Sequence, residues 1–187
     1  MKQKIILIRH GKPRIPSLNK LCPLMFSNWV NSYNTSGLCP DSPPTDEAIK
    51  IAHKCNAIVC SELPRSMESA KALKLDKITL SSSVFNEAGL PVSSWRFPRL
   101  SPKVWAVFFR ILWLFGYSQN SESFKEAKTR AEEAANQLKM LADNDSPVLF
   151  VGHGVFNRLV ANELNATGWS GPKNPSTKYW SYGVYKK

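Results

Sequence analysis

The chain has 187 residues, 43% of them hydrophobic, with 25 Lys and Arg against 14 Asp and Glu, a formal net charge of +11. That length supports one domain with a substantial core, and the charge favours anionic partners. Cys22, Cys39, Cys55 and Cys60 form no C-x-x-C pair, which argues against a structural zinc site or a disulfide scaffold, and no zinc-finger spacing, aromatic RNA-binding signature or dense basic run marks a nucleic-acid partner.

The first predicted element is Lys4-Ile5-Ile6-Leu7-Ile8, which runs straight into Arg9-His10-Gly11. A short apolar, β-branched run bounded by glycine reads as a strand buried on both faces. The C-terminal end of such a strand opens into the crevice of an α/β sheet, where ligands bind. No signal peptide precedes it, so a reducing, cytoplasmic setting is expected. Lys12 to Pro44 contains six prolines (Pro13, Pro16, Pro23, Pro40, Pro43, Pro44) and reads as one long irregular stretch. A loop of that length inside a compact domain is usually functional. Lys12 and Arg14 read as solvated.

Thr45 is a predicted N-cap for a helix from Asp46 to about Lys54, with Asp46 and Glu47 complementing its dipole. His53, near its end, reads as a solvated or capping side chain. Ala57-Ile58-Val59-Cys60 is a second buried strand. It breaks into Ser61-Glu62-Leu63-Pro64-Arg65-Ser66, and a helix runs on through Ala70 and Leu73. Arg65 falls at a helix N-terminus, which already favours anions, and its guanidinium fork matches two phosphoryl oxygens. The alternative for Arg65 is a surface ion pair with Glu62 or Glu68.

Lys77-Ile78-Thr79-Leu80 is a predicted third strand. Glu87 follows, between apolar neighbours and ahead of Gly89. A partly buried carboxyl group suits a proton donor at neutral pH; an exposed loop glutamate is the competing reading.

Val104 to Tyr117 is apolar nearly all round a helix, interrupted by Arg110 and preceded by Arg96, Arg99 and Lys103. It is too short to span a bilayer, and a helix apolar on all sides must be covered. The cover is, in order of expectation, core or substrate-cavity wall, homodimer contact, or peripheral membrane contact. Ser123-x-x-Glu126 is a capping box, and Phe124, Ala127, Ala131, Ala134, Leu138 and Leu141 give an amphipathic helix ended by Asp143-Asn144-Asp145-Ser146-Pro147. Val148-Leu149-Phe150-Val151 is a fourth buried strand, delivering Gly152-His153-Gly154 to a further helix. Tyr179 to Tyr185 reads as a final edge strand.

Alternating strands and helices imply an α/β fold, a three-layer α/β/α sandwich with a mainly parallel central sheet. The strand ends then gather Arg9, His10, Arg65 and His153 at one edge: a cationic pocket with no carboxylate cluster for a metal. Phosphoryl transfer fits this inventory, because it depends on positioning and on stabilising spread negative charge. An imidazole can attack phosphorus and split the reaction into two steps.

Arg9-His10-Gly11, Ser61-x-Leu63-x-Arg65-Ser66-x-x-Ser69-Ala70, Glu87 and Gly152-His153-Gly154, in that order, resemble the motifs of the histidine phosphatase (phosphoglycerate mutase-like) superfamily. Pro44-Thr45 before a helix resembles its Pro-Leu-Thr element. The resemblance implies one domain over 1–187, with a cap or substrate-specificity segment around 90–118. It implies a small phosphorylated substrate and neither metal nor cofactor. His10 would be the nucleophile; Arg9, Arg65 and His153 would bind the phosphate; Glu87 would protonate the leaving oxygen and then activate water. A phosphatase hydrolysing a phosphomonoester is the implied activity. A mutase-type phosphotransferase and a catalytically weak phosphate-binding or scaffold protein are the alternatives. The chain departs from the family pattern at Lys12-Pro13, around Pro16 and at Ala48, which bears on substrate preference more than on chemistry.

Overall fold

The computed structural model describes residues 3–15, 19–142 and 147–187. Pro16 and the helix-ending residues Asp143 to Ser146 lie outside them. The strands are β1 (Lys4–Arg9), β2 (Ala57–Cys60), β3 (Leu80–Ser81), β4 (Val148–Gly152) and β5 (Tyr182–Lys186). They form one sheet in the order β3-β2-β4-β1-β5. Only β5 runs antiparallel, along the edge of β1.

The helices are α1 (Pro23–Thr35), α2 (Asp46–Ala52), α3 (Pro64–Ala72), α4 (Pro102–Leu114), α5 (Phe124–Leu141) and α6 (Gly154–Ala166). Side chains alternate across a strand, so Ile5, Leu7, Val59 and Phe150 face one core with α5 and α6. Ile6, Ile8, Ile58, Leu149 and Val151 face the other with α2 and α3. These are the three layers. Alanines 127, 131, 134 and 135 line α5 where it meets the sheet and are fully buried or nearly so. The Ser123–Glu126 capping box starts that helix as expected.

Several boundaries differ from the sequence reading. The third strand is confined to Leu80–Ser81. Just before it, Thr79 N donates to Ile58 O at 2.8 Å while Thr79 Oγ1 accepts from Ile58 N at 3.0 Å, so a side chain stands in for part of the ladder. The helix from Asp46 stops at Ala52; His53 caps it, and His53 Nε2 lies 3.0 Å from Leu73 O. The final strand starts at Tyr182 rather than Tyr179.

The largest correction falls between Lys12 and Pro44, which holds helix α1 rather than continuous loop. Pro23 sits in its first turn, where a missing N–H costs nothing. The rest is rich in Ser, Asn and Thr and would be a marginal helix alone. It is stabilised by a partner far along the chain: Phe26 is fully buried, stacked on Phe109 of α4 with ring centroids 5.7 Å apart. Leu21, Phe26, Trp105 and Phe109 form a third, smaller core between α1 and α4.

Helix α4 is not covered all round, which corrects the expectation for 104–117. Trp105, Phe109 and Trp113 are buried, four residues apart on one face. Trp105 Nε1 donates to Leu21 O at 2.7 Å and Trp113 Nε1 to Glu122 O at 2.8 Å. The opposite face, with Val107, Ile111 and Leu114, is open to solvent.

Candidate active site

The β1–β4 register pairs Arg9 with Gly152, so the residues leaving the two strands, His10 and His153, stand side by side. His10 N donates to Gly152 O at 2.9 Å, which fixes the crossing. The two imidazole centroids are 5.1 Å apart at 60°, and both side chains are buried. Glycine is required at Gly11, because a Cβ there would collide with the Trp180 indole.

Each ring is oriented. His10 Nδ1 lies 2.6 Å from Gly11 O; a carbonyl only accepts, so the proton sits on Nδ1 and the lone pair on Nε2. His153 Nε2 lies 2.7 Å from Ser61 Oγ, and that hydroxyl also accepts from Leu63 N at 3.3 Å. The Ser61 hydroxyl therefore fixes the orientation of the His153 ring, with Nδ1 turned away from it.

Arg65 is fully buried at the start of α3, corrected from the surface ion-pair alternative. Its Nη1 donates to Tyr33 O at 3.1 Å, both terminal nitrogens lie 3.5 Å from Asn34 Oδ1, and the guanidinium sits 4.6 Å from the Tyr33 ring centroid. Glu68 instead accepts from Leu38 N at 2.6 Å. Arg9 lies 4.3 Å from the Tyr179 ring centroid and donates to Thr177 O. A Cβ at Gly154 would be 3.5 Å from the Arg9 guanidinium, so the arginine rests against the start of α6. Among the described residues, Arg9 Nε, Arg65 Nε and His153 Nδ1 are buried without a hydrogen-bond partner. Two guanidinium donors and an imidazole nitrogen left unpartnered in one site suit an anion with several oxygens.

Glu87 is held in place rather than loose in an exposed loop. Its Oε1 accepts from Phe156 N at 2.8 Å and Ala88 N at 3.0 Å, and its Oε2 from Val155 N at 3.4 Å, at the N-terminus of α6. Two arginines brace this segment from behind. Arg130 donates to Val84 O and Asn86 O, each at 2.8 Å, and pairs with Glu122 at 2.5 Å. Arg110 donates to Ala88 O and Gly89 O, each at 2.9 Å. Thus α4 reaches the site through Arg110 and through its packing on α1. Lys12 and Arg14 remain exposed, as expected.

Sequence reasoning missed Tyr33, Asn34, Ser61, Tyr179 and Arg130. Ser61 stood inside a recognised motif and was the one within reach. Tyr33 and Asn34 lay in a stretch read as loop, and Arg130 looked like any charged residue beside an alanine stripe.

Burial holds both His10 and His153 well below the ordinary value of 6.5, reinforced for His10 by His153, Arg65 and Arg9, and for His153 by Arg65, Arg9 and Arg130. The Gly11 carbonyl acts the other way on His10 but does not prevail. Both rings are therefore neutral near pH 7. A reaction that needs the free Nε2 lone pair of His10 would show the acid limb of its kcat/KM profile clearly below pH 6.5, because the protonated ring has no such lone pair. Stability has the same sign: the unfolded chain binds these protons first, so stability is lost as pH falls from about 6.5 toward the depressed values. An acid limb at or above 6.5 would show that no neutral buried imidazole governs the reaction.

A mainly parallel sheet with paired histidines, a buried arginine and a half-buried one at its C-terminal edge is the phosphoglycerate mutase-like arrangement. The chain belongs to the histidine phosphatase superfamily (branch 1), whose family model matches residues 47–184. That span includes Arg65, Glu87 and His153; Arg9 and His10 precede it and join the site through the β1–β4 pairing. Among solved structures, the chain resembles Rv3214 from Mycobacterium tuberculosis, with 17% identity over 97% of this chain and 90% of that one, at a TM-score of 0.59. It also resembles the mycobacterial glucosyl-3-phosphoglycerate phosphatase Rv2419c, with 17% identity over 88% and 80% of the two chains and a TM-score of 0.57. Bacillus stearothermophilus YhfR aligns at 19% identity over 97% and 89%, with a TM-score of 0.57. No curated protein sequence matches the chain. Among the described residues no group of three or more His, Cys, Asp or Glu is placed to hold a metal.

Proposed function

We propose that the protein is a metal-independent phosphatase that hydrolyses a phosphomonoester through a phosphohistidine on His10. The observation that carries this reading is the His10 ring itself: neutral, with Nδ1 tied to Gly11 O and Nε2 left as the nucleophilic nitrogen, 5.1 Å centroid to centroid from His153. His10 Nε2 attacks phosphorus, a P–N bond forms, and the P–O ester bond breaks. Glu87 delivers a proton to the leaving oxygen and the alcohol departs. Glu87 then takes a proton from water, the resulting hydroxide attacks phosphorus, the P–N bond breaks, and phosphate leaves with His10 restored. Arg9, Arg65 and His153 hold the phosphoryl oxygens, which supplies the charge stabilisation such transfers need.

The test is hydrolysis of p-nitrophenyl phosphate in excess EDTA, combined with rapid acid-free quenching of a labelled substrate. Undiminished turnover and a protein-bound label stable to base but lost in acid are expected. Activity abolished by EDTA, or binding of phosphoesters with no turnover and no label, would replace this reading with a metal-dependent enzyme or a phosphate-binding scaffold. Transfer of the label to a second hydroxyl of the substrate rather than to water would make the protein a mutase.

Glu87→Gln separates the proton-donor role from anchoring, since the amide oxygen can still accept from Phe156 N and Ala88 N, the two shorter of the three contacts. Turnover of alkyl phosphates is expected to fall by roughly a hundredfold to a thousandfold. p-Nitrophenyl phosphate should suffer much less, because its leaving oxygen needs little help. Equal losses on both substrates would assign the proton to another group.

A further inference from the structure

We infer that the outer face of α4, with the Trp95–Arg99 segment beside α1, docks on an anionic lipid surface. Val107 and Phe115 are 61% and 87% exposed, with Val104, Ile111 and Leu114 on the same outer side of α4, and Phe97, in the segment before the helix, is 76% exposed. Trp95 O accepts from Leu24 N at 3.1 Å, which joins this segment to exposed Leu24 and Met25 on α1. Isolated apolar side chains on a surface are ordinary, but Val104, Val107, Ile111, Leu114 and Phe115 follow one another along one side of α4 and its cap, and a stripe of this kind marks an interaction face.

Charge identifies the occupant. No Asp or Glu occurs from Gly11 to Pro40 or from Ala88 to Ser121, the two stretches that build the α1–α4 unit. Arg96, Arg99 and Lys103 are all exposed there, in a chain of net charge +11. A two-fold contact between copies brings the same patch on each subunit together, setting these cations near their own counterparts with no carboxylate in the patch to pair them. A negatively charged bilayer offers both terms at once: an apolar boundary for Val107, Ile111, Leu114 and Phe115, and headgroup anions for the basic rim. Trp95 and Phe97 are the side-chain types that settle at that boundary. Among the described residues no helix is long and apolar enough to cross a membrane, so α4 would lie in the plane of the interface. Leu24 and Tyr33 are nine residues apart on α1, about 14 Å along its axis, so the docked face and the site that Tyr33 borders are ends of one short helix.

The experiment is co-sedimentation of the full chain with phosphatidylcholine vesicles with and without phosphatidylserine. Binding is expected only to the anionic vesicles and weaker at high salt. Each of Arg96→Gln, Arg99→Gln and Lys103→Gln should weaken it roughly fivefold. The pair Val107→Asp and Phe115→Asp should weaken it more than tenfold. These side chains are exposed, so the circular-dichroism melting temperature should stay close to that of the unaltered chain. Failure to bind anionic vesicles at low salt overturns the inference, as does equal binding to neutral ones. Binding lost in the Gln variants but intact in the Asp pair would reduce it to diffuse basic attraction. A stable dimer by light scattering that the Asp pair dissociates would give the face to a second copy instead. None of these outcomes depends on the phosphatase reading.

Discussion

His10→Ala is expected to lower kcat/KM for p-nitrophenyl phosphate by about ten-thousandfold or more, and to abolish the acid-labile label altogether. Losing the nucleophile of a covalent mechanism removes the step itself, and the surrounding binding groups sustain only a small residue of catalysis. No neighbour can substitute. His153 is the nearest imidazole, but its Nε2 is occupied by Ser61 Oγ at 2.7 Å. The variant should fold, since it removes a buried polar ring whose only hydrogen bond among the described residues is to the adjacent Gly11 carbonyl; circular dichroism checks this. Stopped-flow or steady-state assays showing activity within tenfold of the unaltered enzyme would end the phosphohistidine mechanism. His10→Gln, closer in size, should give the same result and guards against a collapse of the pocket.

The second large effect belongs to Arg65. Arg65→Lys should reduce kcat/KM by roughly a thousandfold, the scale seen when a guanidinium that stabilises a transferring phosphoryl group is removed. Lysine keeps the charge but loses the planar fork. It cannot reach Tyr33 O and Asn34 Oδ1 while presenting a second nitrogen to phosphate, as the guanidinium does through its unpartnered Nε. The loss should appear mainly in kcat, because charge on the phosphoryl oxygens changes most in the transition state. A decrease of threefold or less would mean that Arg65 holds α1 to α3 and leaves the phosphate to Arg9. The Arg65→Ala variant is the less informative one: it strips the Tyr33 ring of its cation and leaves a cavity in a fully buried position, so folding and activity would fall together.

The core elements were legible because each obeys a local rule. β1, β2 and β4 are apolar runs ended by turn residues, and α5 carries its own capping box and three-four spacing. The candidate site residues Arg9, His10, Arg65 and His153 were legible for a related reason. Each stands where a strand gives way to a turn or helix, and a parallel sheet collects such positions at one edge. Helix α1 was not legible. The prolines of the surrounding stretch and its own asparagines argue for loop when taken alone, and the packing of Phe26 with Phe109 and Trp105 makes the helix worth forming. Glu87 was legible as a candidate but not as an anchored group, because its partners, the amides of Val155 and Phe156, lie nearly seventy residues away.

By itself the sequence determined the layered α/β architecture, the parallel strands and the order of the four motifs, since binary pattern, caps and glycine positions act over a few residues. Tertiary structure alone decided that Tyr33 and Asn34 border the site and that Ser61 orients the His153 ring. It also decided that Arg110 and Arg130 fasten the Glu87 segment, and that one side of α4 is left bare. The reason is physical: hydrogen-bond direction, burial and exposure are properties of pairs of segments, and they come into being only when distant parts of the chain meet.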